Sequence, residues 1–406
     1  MLSPEALASL PSPCYVIDLA ALRRNLELLA GLRKELDVRI LLALKSFAAW
    51  RLAPLISPFL DGTNAASINE AWLGVREFGG ETHLTVPAYS RADLDWMFDK
   101  LASRQAEKSC TIVFNSLGQW RQFGPECLRR GLSCGLRLNP ERPVGWNPIY
   151  DPSRPGSRLG IIKAELDVAG PEALDGISGL HFHVLCEQNA DALETALGAF
   201  EEKFGNLIDR IKWVNFGGGH HFTRLRRLHP DLDIEEEYDL ERLKKIVREF
   251  RARHPRPRVY FEPGEAVSFG AGYLVTTVLD VVPRDLPNLI LDSSAEAHMP
   301  DVIEGPYTPP VAGARPWKPE SGPAPAHTYR LTGNTCLAGD IVGEFTFDRE
   351  LGVGSKVVFM DQAYYTMVKN NAFNGINLPS IVLLHEGGRA EVIRSFGFED
   401  YRLRLS

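Results

Sequence analysis

The sequence predicts an α/β protein in which a (β/α)8 barrel of the TIM type precedes a β domain. Two observations lead to this prediction. Between about residues 38 and 268, eight short β-rich runs occur in order, and helix-period segments separate most of them, which is typical of such a barrel. After residue 268 the pattern changes to strands and turns without a strong helix. A chain of 406 residues is long enough for two domains.

The barrel elements follow from hydrophobic periodicity. The runs expected to form its strands are 38–45, 63–67, 82–88, 110–115, 134–138, 179–185, 211–216 and 258–262. The segments expected to form its helices are 69–78, 90–103, 117–131, 188–204 and 235–254. The last of these is acidic at its start and basic later, as the helix dipole favours.

The β domain is expected to combine both ends of the chain. Its predicted strands are 272–282, 288–292, 327–332, 341–347 and 355–360, and the proline-rich stretch 305–326 is expected to be a loop. The N-terminal "PCYVIDLAAL" is expected to be a strand that leads into a helix. We therefore predict a barrel at 25–268, inserted into a β domain formed by 1–24 and 269–406.

Composition argues against several classes of function. The net charge is −7 and no long basic run is present, so nucleic acid is not an expected partner and a cationic small molecule is favoured. No segment approaches the ~20 apolar residues of a membrane span. The N-terminus lacks a signal-peptide pattern, which predicts a cytoplasmic protein. The six cysteines include no C-x-x-C pair, which argues against a metal site or a disulfide framework.

Polar or glycine-rich residues end almost every predicted barrel strand. Because chemistry in such barrels collects at the C-terminal strand ends, this ring is the predicted active site. Its members are Lys45, Asn64 with Ser67, Tyr89, Asn115, Arg137, His181 with His183, the run Gly217, Gly218 and Gly219, and Glu262.

Lys45 stands within the apolar "ILLALKSFAAW". It is either a strand-end lysine that reaches solvent or a buried amine of lowered pKa that can form an imine. In "FGGGHH", the glycines are either a tight turn or an anion cradle made of backbone N–H groups. A histidine of "GLHFHV" is either a core residue or a group that stacks on an aromatic ring.

Glu262 in "FEPGEA" can hold a proton on a heteroaromatic nitrogen, and Cys336 in "GNTCLAGD" can donate a proton. An imine-forming lysine, a phosphate cradle, a ring-stacking histidine and such a carboxylate together describe pyridoxal 5′-phosphate (PLP).

These motifs also resemble a known family. The sequence is similar to the fold-type III (alanine racemase-fold) PLP-dependent decarboxylases, which act on ornithine, arginine and diaminopimelate. Within them it is most similar to carboxynorspermidine/carboxyspermidine decarboxylases. The segments that carry this similarity are "LLALKSFAAW", "SINEAWLG", "NPIYDPSRPGSRLG", "HFHVLCEQ", "NFGGGHHFTR", "FEPGEA", "AHMPDVIEGPY" and "YYTMVKNNAFNG".

The resemblance implies roles for individual residues. It implies that Lys45 holds PLP covalently, His183 stacks on its ring, Gly217, Gly218, Gly219 and Tyr365 bind its phosphate, and Glu262 pairs with its ring nitrogen. Asn64 and Arg137 would support the cofactor. The resemblance also implies a homodimer in which Cys336 enters the neighbouring subunit's site.

One position departs from the related enzymes. Ornithine- and diaminopimelate-type relatives read E-P-G-R, and here Glu265 replaces the arginine. A carboxylate cannot bind phosphate, so we expect its charge to be free for another use. Glu265, Asp301 and Asp340 are the acids expected to pair with substrate amines.

The resemblance implies decarboxylation of carboxynorspermidine, carboxyspermidine or both, to norspermidine and spermidine. The alternative is a diaminopimelate, ornithine or lysine decarboxylase, against which the E-P-G-E sequence and Leu337 after Cys336 argue. A racemase would need a second catalytic base, for which no clear candidate is present. The retained Cys336 loop argues against a non-catalytic PLP-binding protein.

Overall fold

The computed structural model describes residues 4–102, 110–145 and 147–406. The chain divides into two units. The barrel unit consists of Arg24–Leu228 and Asp233–Val267, and the sheet unit consists of Met1–Arg23, His229–Leu232 and Ser268–Ser406.

The described chain begins with helix α1 (Pro4–Ser9), strand β1 (Cys14–Asp18) and helix α2 (Leu19–Leu36). Eight parallel strands then close into a barrel, and the last of them pairs with the first. The barrel strands are β2 (Arg39–Ala43), β3 (Gly62–Ala65), β4 (Glu81–Thr85), β5 (Cys110–Phe114), β6 (Ser133–Arg137), β7 (Gly179–His181), β8 (Trp213–Asn215) and β9 (Arg258–Phe261). These strands confirm the predicted (β/α)8 barrel.

Helices occur between most of the barrel strands. They are α3 (Ala53–Ile56), α4 (Ile68–Leu73), α5 (Arg91–Ala102), α6 (Leu117–Arg129), α7 (Lys163–Ala169), α8 (Ala190–Ile208), α9 (Leu240–Arg253) and α10 (Glu265–Ser268). The predicted helix over 235–254 begins only at Leu240, because the Asp239 side chain accepts the N–H of Arg242 at 2.9 Å and caps the helix there. Position 103, the end of the predicted helix 90–103, lies outside the described residues.

The sheet unit contains nine strands within its described residues. After β1 these are β10 (Gly272–Val282), β11 (Asn288–Leu291), β12 (Ala314–Pro316), β13 (Thr328–Thr332), β14 (Ile341–Phe347), β15 (Lys356–Met360), β16 (Ser380–Leu384) and β17 (Ala390–Arg394). Their order is β12-β14-β13-β11-β10-β1-β16-β17, and β15 pairs with β10. β1 is antiparallel to β10 and parallel to β16.

Two expectations for this part of the chain are wrong. The predicted loop 305–326 contains β12, which pairs with β14. Four helices also lie in this region: α11 (Ala295–His298), α12 (Asp301–Glu304), α13 (Thr366–Lys369) and α14 (Phe398–Leu405). Three of them are single turns, too short to give a 3.6-residue hydrophobic pattern.

The core of each unit follows from its strand pattern. In the barrel, Leu41, Val113, Trp213 and Tyr260 form a buried cluster. The sheet unit buries a separate apolar cluster around Phe345 and Phe359. Among the described residues, no helix has the length and apolar character needed to cross a membrane.

Candidate active site at the ends of the barrel strands

Lys45 follows β2 and is largely buried, with its Nζ 3.4 Å from His183 Nε2. Burial first, and then the nearby charge of Arg137, lowers the pKa of the Lys45 amine. This lowering of the pKa agrees with the buried, imine-forming amine that is one of the two interpretations of Lys45 from the sequence. An uncharged amine has a lone pair, which a nucleophile needs.

His183 is fixed in one tautomer by the glycine loop. Its Nδ1 accepts the N–H of Gly218 at 3.0 Å, so the neutral ring carries its proton on Nε2, the atom that faces Lys45. Burial, with the charges of Lys45 and Arg137, holds the pKa of His183 well below its ordinary value. The Nε2–H of His183 is therefore directed at the Lys45 amine.

Glu262 lies directly after β9 and is buried. Its Oε1 accepts from Asn64 Nδ2 at 2.8 Å and from Asn215 Nδ2 at 2.6 Å, and its Oε2 lies 3.1 Å from His181 Nε2. Burial opposes ionisation, but the charge and hydrogen bond of His181 outweigh it, so the pKa of Glu262 lies below its ordinary value. Glu262 is therefore a buried carboxylate that can keep a ring nitrogen protonated.

Asn215, at the end of β8, links the carboxylate to the glycine loop. Besides donating to Glu262, it accepts the N–H of Gly217 at 2.9 Å through Oδ1. The sequence analysis missed this residue, although it precedes "FGGG" at a predicted strand end and the same reasoning as for Asn64 applies to it.

Arg137, at the end of β6, is also buried, and burial lowers the pKa of its guanidinium to about 10. Its Nη2 donates to the backbone oxygen of His183 at 3.2 Å. Arg137 therefore holds the segment that carries His183, in addition to adding positive charge near Lys45.

The glycine loop, residues 217–219, accommodates only glycine, because neighbouring backbone atoms lie too close to leave room for a side chain. A Cβ on Gly218 would lie 2.3 Å from the backbone oxygen of Glu262, and Gly219 has a φ of +83°. The N–H groups of Gly217 and Gly218 already donate to Asn215 and His183. Among the described residues, none accepts the N–H of Gly219.

Three other predicted strand-end residues support the backbone. Ser67 Oγ accepts the N–H of Glu70 at the start of α4. The Tyr89 hydroxyl donates to two backbone oxygens, and Asn115 Nδ2 donates to a third. Their contacts are structural.

Glu265 is buried, but its charge is not free, and that expectation is wrong. Its Oε2 lies 3.1 Å from His221 Nδ1, and its Oε1 accepts from Arg224 Nε at 2.7 Å. Burial would raise the pKa of Glu265, but His221 and Arg224 together lower it to about 2. These two partners were not predicted from sequence.

The remaining predicted site residues lie in the sheet unit. Cys336 is exposed and its N–H donates to Asn374 Oδ1 at 2.7 Å. Tyr365 precedes α13 with a φ of +53°. Asp301 and Asp340 have partners: Asp301 bonds to Lys369, and buried Asp340 accepts from the backbone N–H of Ala295 at 2.7 Å and from Thr335 Oγ1 at 2.6 Å.

Comparisons with known proteins agree with this arrangement. A family model described as "Pyridoxal-dependent decarboxylase, C-terminal sheet domain" matches residues 14–363. A carboxyaminopropylagmatine decarboxylase of Synechocystis is 39% identical over 406 residues, which covers 100% of this chain and 98% of that protein. A carboxynorspermidine/carboxyspermidine decarboxylase of Campylobacter jejuni is 39% identical, with 97% of this chain and 98% of that protein covered.

Comparison with solved structures shows similarity to the same group of decarboxylases. The crystal structure of carboxynorspermidine decarboxylase from Campylobacter jejuni, complexed with norspermidine, superposes with a TM-score of 0.85 and 39% identity. The superposition covers 97% of this chain and 100% of that chain.

Proposed function

The chain belongs to the pyridoxal-dependent decarboxylases, and on this basis we propose that it removes the carboxylate of a carboxylated polyamine. The observation that carries the reaction type is the lowered-pKa amine of Lys45, held 3.4 Å from His183. The substrate class is supported by relatives that are 35–39% identical over nearly the whole chain.

The donors at the barrel strand ends fit PLP. The Lys45 amine suits an aldehyde, the ionised Glu262 suits a protonated ring nitrogen, and the Gly219 N–H suits a phosphate oxygen. When bound, PLP supplies the electron sink that accepts the electron pair left by departing CO2.

We propose the following roles for the chain's own residues. Lys45 would hold the cofactor through Nζ, and the substrate amine would take its place. His183, fixed by Gly218, would support the cofactor ring, and Glu262 would keep the ring nitrogen protonated. Cys336 donates the proton that replaces the carboxylate at the substrate's α-carbon.

The three acids expected to pair with substrate amines differ in the partners that already engage them. The oxygens of Glu265 and Asp340 are engaged by neighbours within their own units, which does not favour either as a substrate ligand. Asp301 is bonded to Lys369 and its side chain is 28% exposed. We therefore keep Asp301 as the acid proposed to bind a substrate amine.

We also propose a homodimer in which Cys336 and Tyr365 serve the site of the neighbouring subunit. The support is the family resemblance, which implies a homodimer, together with the exposure of Cys336 in the single chain. An exposed thiol that donates a proton needs a second surface to exclude water from it.

Two types of candidate substrate, three compounds in all, have equal support. Carboxynorspermidine and carboxyspermidine end in an amine, whereas carboxyaminopropylagmatine ends in a guanidine, and relatives named for each type are 39% identical to this chain. Carboxynorspermidine and carboxyspermidine differ by one methylene, which changes binding by only ~1–3 kcal/mol. The terminal amine and the terminal guanidine differ more, because a guanidinium is planar and forms paired hydrogen bonds with a carboxylate.

The deciding experiment measures kcat/KM for all three compounds, with diaminopimelate and ornithine as comparison substrates. We expect at least one carboxylated polyamine to exceed both amino acids. A higher value for diaminopimelate or ornithine would replace the proposal with the basic amino-acid alternative. The Lys45→Ala variant, the matched control, should lose both turnover and the absorbance of the covalently bound cofactor.

A further inference from the structure

A cluster around one buried carboxylate, next to the glycine loop in the chain, has no role in the function described so far. It consists of Glu265, which begins α10, and of His221 and Arg224, which follow the glycines. Glu265 is 4% exposed and contacts both others. A buried carboxylate must be matched closely by its partners, here a guanidinium and an imidazole, because an unpaired charge there is costly.

The phosphate needs more than the glycine loop supplies. The N–H groups of Gly217 and Gly218 are committed to Asn215 and His183, which leaves the Gly219 N–H. One neutral amide cannot balance a phosphate that carries up to two negative charges. A charged donor close to Gly219 would form the stronger, charge-assisted bond.

His221 is placed to be that donor. It lies two residues after Gly219, and its Nδ1 faces Glu265, which leaves Nε2 as the nitrogen that can meet a ligand. Its backbone N–H donates to Gln188 at 3.2 Å and its backbone oxygen accepts from Arg224 at 2.9 Å, so both sides of the residue are fixed.

Arg224 is less suited to the same task. Its Nε donates to Glu265 at 2.7 Å, and its Nη2 lies 3.4 Å from Glu187 Oε2. The guanidinium is therefore shared between two carboxylates, whereas the imidazole of His221 contacts the carboxylate of Glu265. Arg224 serves to keep Glu265 ionised and in place.

We propose that His221 is the charged ligand of the cofactor phosphate, and that Glu265 is a positioning residue that orients its ring and stabilises the imidazolium. The proposal rests on the placement of the phosphate at the glycine loop given above. It assigns Glu265 to the cofactor side of the site rather than to a substrate amine.

The test compares two ligands that differ only in the phosphate. Apoprotein is titrated with PLP and with pyridoxal, and the ratio of the two Kd values reports the contribution of the phosphate alone. His221→Gln should reduce the preference for PLP by roughly 10- to 100-fold, the value of a hydrogen bond to a charged group. The affinity for pyridoxal should stay unchanged.

Two further variants make the test specific. His221→Arg keeps a cation and should retain the preference for PLP. His254→Gln removes an imidazole that also pairs with a carboxylate, Glu201, on the surface of the same unit, and should leave the ratio as it is. If His221→Gln does not fold, Glu265→Gln carries the test, with a smaller loss expected.

An unchanged ratio of the two Kd values in His221→Gln would overturn the proposal that His221 binds the phosphate. If His221→Gln does not fold, an unchanged ratio in Glu265→Gln would do the same. The cofactor proposal fails differently: wild-type protein would then bind neither compound with the Lys45-dependent absorbance. The two failures are thus distinguished by the wild-type titration.

Discussion

The amine of Lys45 illustrates how opposing charges are balanced at one residue. Glu262 would favour the ammonium form, but its oxygens are engaged by Asn64, Asn215 and His181. Burial and the nearby Arg137 act in the other direction and prevail. Because its own hydrogen bonds stabilise the charge of Glu262, an ionised carboxylate and an amine of lowered pKa can share one strand-end ring.

His220 precedes the proposed phosphate ligand in the chain. Its burial predicts how the free energy of unfolding changes as the solution becomes acidic. Its ring stacks on Phe222 with centroids 4.9 Å apart, and burial lowers its pKa from 6.5 to about 3. The unfolded chain therefore binds a proton that the folded chain does not, so its contribution to stability is full above pH 6.5 and is lost as the pH falls toward 3.

We predict that His220→Phe makes the unfolding free energy less dependent on pH in this window. Phe can keep the stacking and has no proton to take up, so the slope should become shallower by up to about 1.4 kcal/mol per pH unit. Urea unfolding of both proteins across the window measures it. Equal slopes would mean that His220 does not titrate on unfolding.

Strand-end reasoning found single residues better than it found pairs. Lys45, His183 and Glu262 are chemically unusual where they stand, so the sequence selects them as candidates, although the residues alone leave a solvent-reaching lysine and a core histidine as alternatives. The pairing of Glu265 with His221 and Arg224 joins residues about 40 positions apart. That pairing depends on which loops meet above the barrel, information that strand patterns do not contain.

At the scale of elements, β8 packs one large side chain against two glycines. A Cβ on Gly179 in β7 would lie 1.9 Å from the Trp213 ring, and one on Gly135 in β6 would lie 2.4 Å from it. The indole thus occupies the space that side chains on two neighbouring strands would need. Packing this tight leaves no space for a larger side chain at either glycine.

We predict opposite effects for two glycine substitutions in the barrel unit. Gly179→Ala should lower the unfolding free energy by about 1–3 kcal/mol, because the methyl group overlaps the indole. Gly198→Ala, in the exposed face of α8 with no atom within 4 Å of its Cβ, should raise it by about 1 kcal/mol through helix propensity. Chemical denaturation measures both, and a stabilised Gly179→Ala protein would contradict the packing argument.

Elements that belong to a repeated pattern were predictable, and isolated ones were not. The barrel strands are short, and β3 (GTNA) and β7 (GLH) are partly polar, but their regular alternation with helices places them in the sequence. β17 is half exposed along its length and β12 has three residues, so neither gives a periodic signal. The start of α9 was misplaced because the acidic run before Asp239 has good helix propensity but bonds elsewhere, as Glu237 does to Arg226.

At the scale of the whole molecule, the proposed chemistry is divided between the two units. Lys45 and Glu262 belong to the barrel unit, and Cys336 and Tyr365 to the sheet unit. If a neighbouring subunit supplies Cys336, then a single chain contains all the proposed catalytic groups but cannot assemble a complete site from them.

We therefore predict that two inactive variants complement each other. Lys45→Ala and Cys336→Ala, unfolded and refolded together in equal amounts, should regain roughly a quarter of wild-type activity, because half the dimers are mixed and each has one intact site. The measurement is the decarboxylation rate per total protein. Each variant refolded alone is the control, and no recovery in the mixture would place Cys336 in the site of its own chain.

The position of β1 has a consequence for how the protein is made. This strand lies at residues 14–18, yet it pairs with β10 and with β16, whose residues are synthesised more than 250 and 360 positions later. β1 must therefore wait for β16, which is synthesised long after it, before the sheet can close. Such distant pairings fold slowly and expose strand edges in the meantime. Synthesis of this enzyme thus depends on keeping a short apolar N-terminal segment out of other associations while the barrel is completed.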